Sequence, residues 1–357
     1  ANIMNMCNRA NGRTGMGCVM GSKNLKAVAV RGGGKMGYAD PEKAKEVRKS
    51  VVEKLESGIL SGTLHEMGTN GALDTGMLSG DVPVKNWQLG EWMEALDTLN
   101  SFYYNDNILV KIIGCYACTV RCKRVVEIKD GPYQVDPHYG GPEYETTSTL
   151  GNYCGVGDLA AIAKANEICN KYGLDTISCG ATISWAMECF EEGRLTTADT
   201  GGLELNFGNA EAMVKLTEMI AKREGFGDIL ANGSERAAAI LGRGTAEFLL
   251  TSHKQEAPAH MPQLKRSLAV IYAANPFGSD HQSSEHDPVY EEKVAYPERL
   301  GSIGLTEAQP ALSLGPEKIR FARLTQYLYS LMDSVNVCQF VYGPAWQLYG
   351  PEELRAM

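Results

Sequence analysis

Long apolar runs are missing. Nowhere do the 357 residues string together the roughly 18 apolar positions that a membrane-spanning helix needs. Lysine and arginine, 34 against 43 aspartate and glutamate, form no basic patch, which makes nucleic acid a poor partner. The opening residues, ANIMNMCNRANGR, lack a charged segment followed by an apolar core and do not read as a secretory signal peptide. They also lack an initiator methionine, and GPEELRAM at the other end stops just past a motif, so both ends are expected to be cut from a longer chain. Repeats, low-complexity tracts and long linkers are absent too. What is present, 44% hydrophobic and 22% charged residues with a net charge of −9, is ordinary globular composition with room for two domains.

With no export signal, ten cysteines point to a reduced, cytoplasmic protein rather than a disulfide framework. Cys7, Cys18, Cys154, Cys169 and Cys189 read as core or loop thiols. Cys115, Cys118 and Cys122 differ, because GCYACTVRCKR sets them at C-x₂-C-x₃-C spacing and brings three soft ligands to one place. Zinc usually takes two such pairs or adds histidines; no second pair exists here and no histidine follows closely. Iron–sulfur clusters often take three local cysteines and one remote one, and Cys338, in DSVNVCQF, is the remote candidate. Arg121, Lys123 and Arg124 would offset the negative charge of a thiolate-bound cluster. Packing thiols and zinc stay open as alternatives; the spacing favours a [4Fe–4S] cluster.

Along the chain, residues 12–33 combine a Gly-rich loop with a short β run, Ala27–Val30. A helix is expected after Asp40 as N-cap and Pro41 at the first position. Residues 60–113 read as loop-heavy, with turn signals such as SGDVP. Leu159, Ile162, Ala163, Ala165 and Ile168 recur at helical spacing, with Gly173 suited to a C-cap. DTISCGATISWAMECFEEG reads as a buried helix, followed by helices at about 209–223 and 227–241 and one from Pro316 towards Cys338. Trp87, Trp92, Trp185 and Trp346 carry no clear role. The fold class is mainly α, with a small β-containing N-terminal remnant.

Four stretches together resemble the tungsten-dependent aldehyde ferredoxin oxidoreductase family: GRTGMGCVMGSKNLKAVAVRG, CYACTVRCKR, NKYGLDTIS and DSVNVC. The resemblance implies two helical domains above the end of a β-rich first domain, with expected ranges 1–40, 41–248 and 249–357. It implies a tungsten or molybdenum bis-pterin beside a [4Fe–4S] cluster held by Cys115, Cys118, Cys122 and Cys338, with Mg2+ as a further candidate bridging the pterin phosphates. Arg13, Thr14 and Gly15 would clamp phosphate and pterin, the arginine through a bidentate fork, and Gly12, Gly15 and Gly17 would let backbone approach a ligand. Asn170, Gly173, Leu174 and Asp175 would form the first pterin motif, and Asp333 and Val337 the second. Asp175 is equally suited to cap a helix. Asn170 stands for the family's aspartate, and Asn336–Val337 for its Gly-Leu; Asn336 tolerates a left-handed turn.

The same resemblance places Glu145, in GPEYETT, at a carboxylate near the metal, where burial would raise its pKa and let it relay protons. Glu143 is its neighbour. His281, in GSDHQSSEHDP, falls at the active-site histidine, with His286 as a decoy and His138 as a third candidate. His253, Glu256 and His260 lie in HKQEAPAHMP, where His253 and Met261 depart from the family and suggest an altered pocket. Cys179, one turn after Asp175, is a candidate tungsten ligand as in the benzoyl-CoA reductase branch. The implied function is oxidation of aldehydes to carboxylic acids, or the reverse, with electrons passing to ferredoxin or an iron–sulfur subunit. Reduction of an aromatic acyl-CoA, and a pure electron carrier, are the alternatives. A homo-oligomer or multi-subunit complex is expected.

Overall fold

The computed structural model describes residues 1–34, 37–291, 300–343 and 350–356. Trp346 lies outside the described residues. Helices dominate, and among the described residues strands occur only as three two-stranded antiparallel ribbons: Ile3–Asn5 with Arg9–Asn11, Leu109–Ile113 with Lys123–Val126, and Thr251–Ser252 with Gln255–Glu256.

The helix ends follow local chemistry. Asp40 accepts from the amides of Glu42 and Lys43 to start Pro41–Ser57, and Asp158 does the same for Leu159–Tyr172. Gly173, left-handed at φ 72°, ends the latter, and Asp175 at once caps Thr176–Glu191. The expected 227–241 helix is two helices, Phe226–Leu230 and Ser234–Leu241, broken at Gly233 (φ 87°).

Two expectations fail for tertiary reasons. Ala27–Val30 is not a strand: it is exposed, with Val28 and Val30 at 74% and 88%, and no described residue pairs with it. Residues 60–113 are largely helical, through Ile59–Met67, Gly71–Ser79 and Ser101–Asn107. Gly76 marks close packing inside a helix, since a Cβ there would come within 2.8 Å of Val82, while Gly80 (φ 77°) ends that helix.

The main core joins Leu73, Met77, Tyr104, Leu150, Ile162, Trp185, Met187 and Leu216. The long helix Thr176–Glu191 is its centre and is buried nearly all round, as its apolar sequence requires. A separate cluster sets Val47, Val51, Leu64 and Val120 against Cys118, Cys122, Phe340 and Val341, so the helix Pro41–Ser57 packs on the cysteine loop. No described helix is long and apolar enough to cross a membrane.

The segment that carries Glu145 begins as the α-helix Tyr144–Thr147 and widens into a π-helical turn, Ser148–Asn152. Thr149 Oγ1 donates to the Glu145 carbonyl at 2.7 Å and supports the distortion. This turn lies against Gly180, where a Cβ would sit 2.6 Å from the Thr149 carbonyl group. Gly180→Ala would ordinarily strengthen a helix by about 0.5–1 kcal/mol. Here the sign is expected to reverse, with a loss of about 1–3 kcal/mol from overpacking, measured as a lower denaturation midpoint.

Candidate active site and cysteine centre

The N-terminal ribbon docks on the end of the helix Leu159–Tyr172: Asn2 N–H donates to the Gly173 carbonyl at 2.7 Å and Asn2 Nδ2 to that of Leu174 at 3.0 Å. The chain then turns through Gly12–Thr14, with Arg13 left-handed at φ 63°, and Gly15 (φ 72°) opens the short helix Met16–Ser22. Arg13 is buried. Its Nε donates to Asp175 Oδ2 at 3.3 Å, Nη1 to the Ser279 carbonyl at 3.0 Å and Nη2 to the Glu256 carbonyl at 2.6 Å, while Asp280 Oδ2 lies 3.6 Å from Nη1. The expected free fork for phosphate is therefore turned inward onto protein oxygens. Gly17 likewise makes room for backbone, since a Cβ there would meet the Asn2 carbonyl oxygen at 2.5 Å.

The first motif is ordered by its own contacts. Asn170 Nδ2 donates to the Tyr139 carbonyl at 2.9 Å, Leu174 packs on the core, and Asp175 takes the amides of Ile177 and Ser178 besides Arg13. Capping and a cofactor-facing role were alternatives for Asp175; capping is what these contacts display. In the second motif Asp333 is exposed at the end of the helix Pro316–Ser334, within electrostatic reach of Asp280. Asn336 is left-handed at φ 56°, and Val337 packs with Tyr329, Met332 and Tyr342. Cys179 is buried in hydrogen-bond reach of Cys169, with Cys154 also near, and these contacts place it in the seam between two helices.

Glu145 and His281 do meet. Glu145 Oε2 accepts the Ala259 amide at 2.9 Å. Its Oε1 has no hydrogen-bond partner, yet the Nε2 atoms of His281 and His260 stand 3.3 and 3.5 Å away. The facing atoms of Glu145, His260 and His281 all lie within 4.8 Å of one another. Burial raises the Glu145 carboxyl to about 8, with Asp280 and Asp175 adding to the shift and the Ala259 amide and Arg13 opposing it. Burial holds His260 and His281 well below the ordinary histidine range, and brings His286 to about 4. Near neutral pH the pocket thus holds neutral imidazoles around a protonated carboxyl. His138 is not part of it: it is exposed, edge-on to Tyr139, with its amide bound to Asp136. His253 is exposed as well, bonded to Ser252. Glu256 serves structure, accepting the Ser234 amide and hydroxyl and the Thr182 hydroxyl.

Sequence reasoning missed Asp81 and Lys265. Asp81 Oδ2 accepts from Lys265 Nζ at 2.5 Å and lies 2.9 Å from His260 Nδ1, and Oδ1 accepts the Met261 amide at 3.1 Å. Asp81 stood in SGDVP, legible only as a turn, and no local signal marked Lys265.

The cysteine loop is coiled by left-handed Ala117 (φ 55°) and Arg121 (φ 53°), with the Cys118 amide bonded to the Cys115 carbonyl. Gly114 is required there, because a Cβ would come 2.9 Å from the Cys118 carbonyl oxygen. Cys338 lies within electrostatic reach of Cys115, Cys118 and Cys122. Burial first, then Glu143 and the neighbouring thiols, pushes Cys122 to about 12, and Arg9 opposes this. Beside the thiols, Lys123 Nζ and Arg124 Nε and Nη1 are buried without hydrogen-bond partners. Arg124 Nη2 is committed to the Leu64 and His65 carbonyls, but the remaining free cationic nitrogens beside the thiols are the complement of an anionic iron–sulfur cluster, and the residues fit that group.

Residues 46–357 match the family model described as aldehyde ferredoxin oxidoreductase, domains 2 and 3, and residues 1–32 match the model of its N-terminal domain. The chain is 36% identical over 347 residues to the tungsten-containing aldehyde ferredoxin oxidoreductase of Pyrococcus abyssi, covering 95% of this chain and 54% of that protein. It is 32% identical over 292 residues to the aliphatic sulfonate oxidoreductase, WOR-like subunit, of Pyrococcus furiosus, covering 80% and 46%. A solved active-site complex of benzoyl coenzyme A reductase with 1,5-dienoyl-CoA shares the fold at a TM-score of 0.69 and 21% identity, over 91% of this chain and 53% of that one. The chain spans about half the length of the curated relatives it matches.

The raised Glu145 carboxyl has a signed consequence. Between about 4.5 and 8 the folded chain holds a proton that the unfolded chain has released, so this group's contribution to stability falls as pH rises through that window. The limiting slope is about 1.4 kcal/mol per pH unit. Glu145→Gln is expected to remove this component, and thermal midpoints of both proteins from pH 5 to 8 should diverge most at the alkaline end.

Proposed function

The chain belongs to the aldehyde ferredoxin oxidoreductase family, and on that footing we propose that it is the central part of a tungsten bis-pterin enzyme interconverting aldehydes and carboxylic acids. One observation carries the reading: one short segment stands between a thiol centre flanked by cationic nitrogens without hydrogen-bond partners and a buried acid–base pocket, with Glu143 facing the first and Glu145 the second. Cys115, Cys118, Cys122 and Cys338 would hold the [4Fe–4S] cluster. Gly12–Gly15, the Asn170–Asp175 turn and the Asp333–Val337 turn would line the pterins; Mg2+ on the pterin phosphates is a further expectation. When bound, the tungsten group supplies two-electron chemistry and the cluster passes electrons singly to ferredoxin or a partner subunit.

The chain's own residues handle protons. Oxidation of an aldehyde with water to the acid releases two electrons and two protons. Glu145, once it has given up its own proton, accepts one at Oε1, and the Ala259 amide holds the other oxygen in place. His281 donates or accepts at Nε2 beside it. Buried Tyr144 and Met261 help keep bulk water out. Cys179 as a tungsten ligand and His138 as a catalytic group have no supporting contact of this kind.

A second reading, low-potential reduction of an aromatic acyl-CoA, is favoured by the burial of the pocket: Tyr144, His260 and His281 are closed to bulk water, which would otherwise discharge a strong reductant. The fold likeness to a benzoyl coenzyme A reductase accords with it.

Metal analysis of the full-length protein, purified without oxygen, is expected to find about four iron atoms and one tungsten or molybdenum per chain, with Cys122→Ser and Cys338→Ser each losing iron. Iron without the heavier metal would leave an electron carrier instead. Oxidation of simple aldehydes with a redox dye supports the first reading; turnover confined to benzoyl-CoA with a low-potential donor selects the second.

A further inference from the structure

Glu145 Oε1 is itself shut off from solvent, and a path for its proton is built beside it. His260 presents both ring nitrogens to ionisable partners. Nε2 stands 3.5 Å from Glu145 Oε1, the carboxyl oxygen that lacks a hydrogen-bond partner. Nδ1 lies 2.8 Å from Lys265 Nζ and 2.9 Å from Asp81 Oδ2. The ring is stacked on Tyr144, with centroids 4.9 Å apart at 20°, so its plane is held in this bridging orientation. Side-chain exposure is 8% for His260, 12% for Glu145 and 13% for Lys265. The lysine and Glu145 side chains are nearly equally exposed, and what separates them is that the Glu145 Oε1 atom is closed to water.

We propose that Lys265 and His260 form a proton relay between solvent and Glu145, with Asp81 stabilising the charged imidazole in passage. To recharge the ionised carboxylate, the Lys265 ammonium gives a proton to Nδ1 while the Nε2 proton passes to Glu145 Oε1. The imidazole changes tautomer, and the lysine amine is reprotonated from water. Discharge retraces the same steps, and no electron moves. Asp81 accepts from Lys265 and lies against Nδ1, as a carboxylate does when it orients and stabilises a catalytic imidazole. The other groups facing the relay are Tyr144 on the Glu145 helix and His281 and His286 on the following loop; Arg13, Asp175 and Asp280 surround the carboxyl. His286 Nδ1 is 3.5 Å from Lys265 Nζ, and its Nε2 is committed to the His281 carbonyl at 2.9 Å, which makes it a side branch. His260 and Lys265 act through Glu145 and are positioning residues.

The inference rests on Glu145 as the acid–base group of the pocket, but its test needs no turnover. In the holoenzyme near pH 7, rapid mixing into D2O shifts the infrared carbonyl stretch of the protonated carboxyl that Glu145→Gln removes. With the relay intact this exchange is fast. In His260→Asn and in Lys265→Met it is expected to slow by about 10²-fold, the lower end of what a positioned acid–base group contributes, and free imidazole should restore it in His260→Gly. Lys265→Met leaves the ring and its stacking in place, so it decides the matter if the His260 variants do not fold. Wild-type exchange rates in both His260→Asn and Lys265→Met would overturn the relay. So would a lack of imidazole rescue in folded His260→Gly, or about one zinc per chain that His260→Asn loses, since the three clustered atoms would then be holding a cation. Failure of the aldehyde and acyl-CoA assays with normal, His260-dependent exchange would remove the functional reading and leave the relay standing.

Discussion

One buried guanidinium holds the site together. Arg13 reaches from the N-terminal segment to the cap of the helix Thr176–Glu191, to the carbonyl of Glu256 and to the Ser279–Asp280 turn. Breaking such a cluster on one side leaves a charge uncompensated in a dry interior, at a cost of about 3–5 kcal/mol. The four segments therefore keep their places relative to one another, and Asp280 in turn sets the position of His281 beside Glu145. Arg13 also lies close enough to Glu145 to restrain the upward shift that burial imposes on its carboxyl.

Burial decides the chemistry of the pocket. A carboxyl and three imidazoles in water near neutral pH would be ionised or half ionised. Here desolvation favours the neutral form of each, so proton transfer among them separates little charge. Asp81 and Lys265 pair with each other on the far side of His260, and Arg13, Asp175 and Asp280 surround the carboxyl, so opposite charges balance around the neutral donors.

The same segment serves two centres. Glu143 precedes the short helix and turns its side chain to Arg9 at 2.6 Å and to Thr69, on the side of the thiols. Glu145, two residues on, turns to the histidines. The π-helical turn that follows fixes this divergence against Gly180, and Glu143 adds to the electrostatic load on Cys122. A carboxylate near the thiols and a carboxyl in the pocket are thus mechanically one unit.

Local chemistry in the sequence was enough to set the cysteine spacing, the helix starts at Asp40 and Asp175, the glycine stop at 173 and the left-handed turn at Asn336, because each depends on residues within a turn of one another. The mainly helical class followed from the same periodicities. Folding decided everything that depends on neighbours far along the chain. It turned Arg13 inward, left His138 and His253 at the surface and packed Cys179 against Cys169. It packed Gly76 against Val82 inside a helix and brought Asp81 and Lys265, 184 positions apart, to 2.5 Å. A side chain's partner and its exposure to water are tertiary quantities, and protonation follows from both; the order of residues supplies the donors and acceptors, and only packing chooses which of them meet.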